Sequence, residues 1–441
     1  MERIKLPMPV QFILNTLSNR GYEAYVVGGC VRDSIMGLSP NDWDICTSAL
    51  PEQVREIFKD YKVIPTGLKH GTVTLILDEG FKQSFEITTY RTEGKYTDNR
   101  HPDEIKFVSD LKFDLSRRDF TINAMAYNET DGLIDLFGGL TDIKNKVIRC
   151  VGDGEIRFQE DALRIIRAIR FALRFNYDID NDTVTAMNNH KELLKNISIE
   201  RISDELSKIL NSSIETEYFD KRIMEQEYNT KLNLFGYLFD YLKIIIAPEM
   251  NLNSKHIFKR LWGTIDNLEL RLAIIFDNES IEEILKYLRF PKEIIVKATT
   301  IRHYGYKIIS QKSKWIDFRE QPVLLRYYAR KLLCNITVCP AEFSIDYAKT
   351  LVPKDSLFRI DLSLLRIELH KCFMNKDIYS ISYLAINGND ILALGYEGKQ
   401  IGNILKQLLD LVMKEQLENN KQQLLSAIPN LQIDENNYNE L

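Results

Sequence analysis

The first twenty residues set Val10, Phe12, Ile13 and Leu17 at helical spacing, so Met1 to Arg20 predict an amphipathic helix backing a sheet and ended by Gly21. The next apolar run, Ala24-Tyr25-Val26-Val27, is continuous and stops at Gly28-Gly29. That pattern predicts a buried strand, a tight turn and a helical segment opening with Arg32 and Asp33. Asp42-Trp43-Asp44-Ile45 alternates polar and apolar, as a second strand does. Leu50-Pro51-Glu52-Gln53-Val54 starts a helix with proline in its first turn. Gly71 to Leu77 and Phe85 to Arg91 predict a strand pair joined by Asp78 to Lys82. From Arg91 to Pro102 the run RTEGKYTDNRHP mixes both charge signs with turn formers and predicts a loop.

Beyond residue 150 the spacing turns helical. Glu160 to Arg174 reads as one helix, with Arg164, Arg167, Arg170 and Arg174 inside an arc of roughly 120° and Ile165, Ile166, Ile169 and Leu173 largely opposite. Ile199 to Leu206 follows as another. Further helices are predicted at 219–233, 256–264, 268–275, 281–289, 292–309 and 318–334, and the polar end, Asp434 to Leu441, is expected to fray. The fold class is therefore α+β, with a small, largely antiparallel or mixed sheet followed by helices.

With 441 residues and 44% apolar content the chain can form two to four packed modules. No apolar run approaches the roughly 20 residues that span a membrane, and Met1 to Asn15 lacks the pattern of a secretory signal; a cytoplasmic location is expected. Cysteines 30, 46, 150, 334, 339 and 372 lack CxxC pairing, which fits reduced thiols, and Cys334 and Cys339 are expected in the core. A net charge of −5 means that any RNA partner must meet a local basic face.

On an extended strand, residues i and i+2 share a face, so Asp42 and Asp44 would present their carboxylates together. Such a pair can hold hard divalent ions, Mg²⁺ above all, completed by substrate phosphates. Glycines at 28 and 29 let backbone N–H groups approach a triphosphate, with Arg32 to neutralise it. A glycine pair alone is most often only a turn and a DxD only a solvated loop; their spacing here is what makes the combination specific. Glu86, on the strand after the metal site, is either a third metal carboxylate or a solvated strand residue.

In Arg117-Arg118-Asp119, the Arg118 guanidinium suits a phosphate and the Asp119 carboxylate suits a ribose hydroxyl. Asp161 and Arg164 form an i, i+3 pair. Cytosine and adenine both offer an exocyclic amine beside a ring-nitrogen acceptor, and guanine and uracil the reverse. An aspartate accepting from the amine and an arginine donating to the ring would admit C and A. The same spacing also describes an ordinary intrahelical ion pair worth about 0.3–0.5 kcal/mol.

Taken together, GGCVRD with DWDI, the RRDFTINAMA segment, EDALRIIRAIRF and IERISDEL resemble the class II tRNA nucleotidyltransferase and poly(A) polymerase family, whose head is DNA polymerase β-like. The resemblance covers about 1–210 and, more weakly, 384–425. It implies a head at 1–145, a helical neck at 146–212, a body at 213–310 and a tRNA-binding tail at 311–441. The implied reaction is template-independent addition of CCA to tRNA from CTP and ATP. A poly(A) polymerase or a CC- or A-only enzyme is the alternative, with an inactive RNA-binding protein or a small-molecule nucleotidyltransferase beyond those. The resemblance gives base selection to Asp161 and Arg164 and nucleotide contacts to Arg167 and Arg170. The loop at 91–102 is similar to the one associated with the switch from C to A, and 135–139 to the hinge between head and neck. Arg174 and Lys399 are placed as RNA contacts, Lys399 in a GKQIG turn where relatives usually carry PGxxIG. Leu268 to Asp277 is similar to a segment that in some relatives ends in His-Asp; Phe276 stands in the histidine's place, so no phosphohydrolase activity is expected.

Overall fold

The computed structural model describes residues 3–78, 82–94, 104–212, 221–246, 252–277, 280–311 and 322–431. The chain divides into two compact units, residues 1–258 with 287–289, and residues 259–286 with 290–441.

The first unit opens with α1 (Met8–Ser18), β1 (Ala24–Val27), α2 (Gly29–Ile35), β2 (Ile45–Thr47), α3 (Pro51–Ile57), β3 (Lys62–Gly67), β4 (Thr72–Asp78) and β5 (Lys82–Thr89). It continues through β6 (Arg91–Glu93), β7 (Ile105–Phe107), α4 (Leu111–Ser116), β8 (Met125–Asn128), β9 (Gly132–Asp135) and α5 (Gly139–Asn145). Seven of these strands form one mixed sheet in the order β3-β4-β5-β2-β1-β8-β9. Only the β2–β5 pairing, Ile45 beside Ile87, is parallel.

β1 is central, and its period-2 alternation serves two cores. Ala24 and Val26 join Val10, Ile13 and Leu17 of α1 with Val54 of α3, while Tyr25 and Val27 join Cys46, Tyr90 and Leu111. Phe12, expected in that core, is 38% exposed and packs edge-on against Tyr61. The strands β3, β8 and β9 carry no signal clear enough to predict them. The expected loop at 91–102 begins as a strand: Arg91 to Glu93 pair antiparallel with Ile105 to Phe107. Residues 95–103, which hold the rest of that loop, lie outside the described residues, as do 434–441.

At 135–139, the Asp135 carboxylate accepts from the backbone N–H groups of Gly139 (2.8 Å) and Leu140 (2.9 Å), capping α5. Gly139 has no room for a side chain, since a Cβ there would lie 2.3 Å from the Thr121 carbonyl oxygen. Gly139→Ala is therefore expected to cost about 1–3 kcal/mol of stability, read as a lower urea midpoint at unchanged slope.

After β10 (Val147–Ile148), which pairs parallel with β11 (Asp178–Ile179) across α6 and α7, helices take over. These are α6 (Gly154–Glu160), α7 (Leu163–Phe175), α8 (Asn181–His190), α9 (Ile199–Leu210) and α10 (Lys221–Ile245). The continuous helix expected over 160–174 is broken. Asp161 is extended (φ −148°, ψ 101°), ending α6 before α7 begins.

Further along lie α11 (Ser254–Leu261), α12 (Leu268–Ile275), α13 (Ile281–Tyr287), α14 (Lys292–Ser310), α15 (Pro322–Asn335), α16 (Val338–Thr350) and α17 (Phe358–Met374). They are followed by α18 (Gly388–Leu392), α19 (Lys399–Met413) and α20 (Lys421–Ala427). In the second unit one core joins Ile308, Leu333, Ile345 and Leu365, and another joins Ile391, Ile404, Leu408 and Leu424. Asp277, next to Phe276, accepts from Arg260, Arg302, Tyr306 and Tyr347. Burial alone would raise its carboxyl pKa; the Tyr347 hydroxyl and the Arg260 guanidinium outweigh burial and lower it. Cys334 and Cys339, expected in the core, are exposed, because they fall on the outward sides of α15 and α16. Among the described residues no helix is long and apolar enough to cross a membrane.

Candidate active site

The turn after β1 is built on Gly28, whose φ of 81° and ψ of −127° suit a residue without Cβ. α2 opens at Gly29, three residues before Arg32, where the sequence had placed the start. The turn is pinned from both sides, by Val27 N–H to the Asp44 carbonyl at 3.0 Å and Gly28 N–H to the Met125 carbonyl at 3.1 Å. The missing side chain admits Arg118, whose Nη1 would stand 3.0 Å from a Cβ at Gly28.

Asp42 and Asp44 lie on the approach to β2 and not within it, and both side chains are exposed. Desolvation by the surrounding protein raises the Asp44 carboxyl pKa; Arg118 opposes the rise and the Asp42 charge adds to it. A carboxylate held near a second one at an open edge is suited to a cation. Among the described residues no third His, Cys, Asp or Glu joins them in a metal-holding cluster. The donor set is thus two carboxylates, which fits an ion that draws its other ligands from phosphate oxygens and water. Glu86 is exposed on β5, paired across from Thr74.

Arg118 and Asp119 lie between α4 and the short 3₁₀ turn at 121–123. Arg118 donates through Nη2 to Asp114 at 3.1 Å. Asp119 is buried and heavily partnered. Its Oδ1 accepts from Asn123 Nδ2 at 3.0 Å and its Oδ2 from Arg167 Nε at 3.0 Å and Nη2 at 2.6 Å. Burial alone would raise its pKa; Arg167 and Asn123 reverse that and hold it well below the usual carboxylate range.

On α7 the residues 164, 167 and 170 are half-buried and 174 is exposed, whereas Leu163, Ile165, Ile166, Ala168, Ile169, Phe171, Ala172 and Leu173 are buried. Arg164 donates to Glu160 at 2.8 Å and to the carbonyls of Arg157 (3.3 Å) and Arg117 (3.1 Å). Asp161 caps α7 by accepting from Leu163 N–H at 3.1 Å and holds Arg201 of α9 bidentately at 3.1 and 2.7 Å. Asp161 and Arg164 therefore stand at the junction of α6 and α7, each fixed by other residues and not as an ion pair along one helix. Arg170 donates to buried Glu205 at 2.5 Å, and Arg167 lies 3.8 Å from the same carboxylate. Arg174 lies 3.5 Å from Asp33.

Arg32 is only 3% exposed. Its Nε donates to Asp33 at 2.8 Å, its Nη1 donates to Asn123 Oδ1, and its guanidinium lies over the rings of Phe171 and Phe175. Lys399 is exposed at the start of α19, after Gly398 at φ 55°. Sequence reading passed over Asn123, Glu160, Arg201 and Glu205. Arg201 and Glu205 sit four apart in a charged helix, a pattern shared with many solvated faces.

A mixed sheet whose central strand runs into a glycine turn beside two open carboxylates has the layout that nucleotidyl transfer requires. Residues 24–149 match the Poly A polymerase head domain, and residues 176–221 match the family described as the probable RNA and SrmB-binding site of polymerase A. These two matches cover less than half of the chain and make those stretches similar to the head and RNA-binding regions of poly(A) polymerases. Similar curated proteins include the CCA-adding enzyme of Levilactobacillus brevis, 50% identical over 209 residues that make up 47% of this chain and 51% of that protein. That of Lactococcus lactis subsp. cremoris is 47% identical over 216 residues, 48% of this chain and 53% of that protein. The matched stretch thus spans about half the length of these curated relatives. Over the whole fold, the Bacillus stearothermophilus CCA-adding enzyme in complex with CTP is similar at TM-score 0.70 and 29% identity, covering 96% of this chain and 98% of that one. The Thermotoga maritima CCA-adding enzyme complexed with tRNA shares the fold at TM-score 0.68 and 22% identity, covering 96% and 95%.

Proposed function

We propose that the protein is a template-independent CCA-adding enzyme that extends the 3′ end of tRNA with CTP and ATP in the cytoplasm. The reaction is attack of the tRNA 3′-hydroxyl on the α-phosphorus; the new P–O bond forms as the bond to the β-phosphate oxygen breaks, and pyrophosphate leaves. Asp42 and Asp44 would hold Mg²⁺, which supplies charge neutralisation for the attacking and leaving oxygens. The turn presents backbone N–H groups from Gly29 onward to the triphosphate, the Gly28 N–H being held by the Met125 carbonyl, with Arg118 beside it and Arg32 beneath. Asp119 accepts from the ribose, and Arg167 and Arg170 line the nucleotide's side of α7. Catalysis of this kind rests on positioning and charge, with little covalent chemistry for the protein itself.

The observation that carries the reading is the pair Asp161 and Arg164. The hydrogen bonds of Arg164 to Arg157, Glu160 and Arg117 use three N–H groups of its five, so donors remain for a base ring nitrogen, and Asp161 keeps acceptor capacity beyond Arg201 and Leu163. A protein edge with one fixed acceptor and one fixed donor can select C and A with no nucleic-acid template. In this reading 1–145 is the head, 146–212 the selecting neck, 213–310 the body and 311–441 a tail that meets tRNA, with Arg174 and Lys399 toward its backbone. The test is extension of a tRNA transcript lacking CCA by the purified protein and Mg²⁺. Two C additions with CTP and one A only when both nucleotides are present is the expected result. A stop after CC, a long A ladder or no extension would replace the reading with a CC-adding enzyme, a poly(A) polymerase or a binding protein, respectively.

A further inference from the structure

We propose that Asp114 is a positioning residue that serves both ends of the bound nucleotide: its carboxylate sets Arg118 beside the glycine turn and fixes Arg117, whose carbonyl holds Arg164. The inference rests on the nucleotidyltransferase reading of this site and adds to it a residue that touches no substrate.

Three observations carry it. First, the Asp114 side chain is fully buried on α4, and a buried carboxylate stays charged only when it is paired. Second, it is paired twice. Oδ1 accepts from Arg117 Nε at 3.1 Å and Nη2 at 2.8 Å, and Oδ2 accepts from Arg118 Nη2 at 3.1 Å. Burial alone would raise its pKa; the Arg118 and Arg117 guanidiniums reverse that and lower it. Third, the last carbonyls of α4 receive two further arginines. Ser116 O accepts from Arg157 Nη1 at 3.2 Å and Arg117 O from Arg164 Nη2 at 3.1 Å, as the negative end of a helix favours.

One negative charge shared by two guanidiniums leaves one positive charge over. Arg118 brings it to the turn: its side chain is 20% exposed, and its Nη1 would stand 3.0 Å from a Cβ at Gly28. Its Nε is buried without a hydrogen-bond partner, so Asp114 alone among the described residues fixes the direction of this guanidinium. Residue 117 is gripped through its side chain by the same carboxylate and grips Arg164 through its backbone. The arginine at the phosphates and the arginine at the base therefore take their places from one buried group.

The sign of one effect separates positioning from charge. Removing a buried negative charge would, by its field alone, tighten the binding of an anion; a displaced Arg118 weakens it. The experiment measures dissociation constants of pyrophosphate, CTP and UTP for the full-length protein with Mg²⁺, with a thermal melt to show that each variant is folded. Asp114→Asn is expected to weaken pyrophosphate about fivefold and to reduce the preference for CTP over UTP by a similar factor. With Arg118→Gln already in place, it is expected to weaken pyrophosphate no further, because its effect runs through Arg118. Unchanged or tighter pyrophosphate in Asp114→Asn, an unchanged preference for CTP, or further weakening in the double variant would each overturn the proposal. If Asp114→Asn does not fold, Arg117→Gln decides: a reduced preference for CTP over UTP is expected, and an unchanged one overturns the link to Arg164. Extension of tRNA by the wild-type preparation is scored separately; its absence removes the enzyme reading, while the dissociation constants still decide the role of Asp114.

Discussion

Asp44→Asn is expected to slow nucleotide addition by about a thousandfold or more, the loss of roughly 4 kcal/mol of transition-state stabilisation, without lowering the melting temperature. The two halves of that result come from the same feature. Desolvation raises the Asp44 carboxyl pKa, helped by Asp42 and opposed by Arg118. A carboxyl whose folded pKa is raised binds its proton more tightly in the native state. Its contribution to stability is therefore present below the unfolded pKa and is lost as pH rises through the folded one. At neutral pH the charge works against folding, and asparagine, similar in shape and uncharged, removes it. The site gives up stability to place a carboxylate where a cation can meet it. Single-turnover extension and a thermal melt at pH 7 check both halves. A wild-type rate would remove Asp44 from the site, and a clearly lower melting temperature would contradict the sign of the shift.

Asp161→Asn is expected to collapse base selection. A site built to pair with one donor–acceptor pattern rejects the reversed pattern by about 10⁴-fold, and the variant should bring UTP to within about tenfold of CTP. The amide keeps an oxygen to accept from Leu163 N–H, now 3.1 Å away, so the start of α7 is preserved. It adds an N–H₂ donor that uracil O4 can accept. The cost falls on Arg201, which loses its carboxylate partner; about 1–2 kcal/mol of stability should go with it. Kinetics with the four nucleotides offered singly, beside urea unfolding, separate the two effects. Retained rejection of UTP would refute selection by this side chain.

The head was legible because its chemistry is written locally. A glycine pair must sit where backbone conformation demands it, a DxD must lie close to a strand, and the arginines of α7 repeat at a helical step that core residues fill between them. What the sequence hid depends on partners far along the chain. Nothing around Asp161 announces that it leaves the helix, because the break follows from accepting Leu163 N–H and receiving Arg201, 40 residues away. The position of Arg32 after the glycines marks it for the phosphates, and nothing there tells of the Phe171 and Phe175 rings against its guanidinium. The strands β3, β8 and β9 were missed because period-2 alternation is weak in Lys62 to Gly67 and cannot be read in two four-residue segments, β8 buried throughout and β9 half-buried throughout. In the second unit periodicity found helices through 334, and no motif there was specific enough to say what each one meets.

The thirteen residues of α7 have a consequence for how this chain can change over generations. Eight are packed in the interior and the arginines at 164, 167 and 170 are engaged by Glu160, Asp119 and Glu205, so hardly any position is left where a neutral substitution can accumulate. Drift in such a segment has to wait for paired changes, such as a new residue at 167 together with one at 119. Random mutagenesis of the gene should leave this stretch nearly unaltered among functional survivors, while outward positions such as Ile360 and Ile367 on α17, 51% and 53% exposed, vary freely.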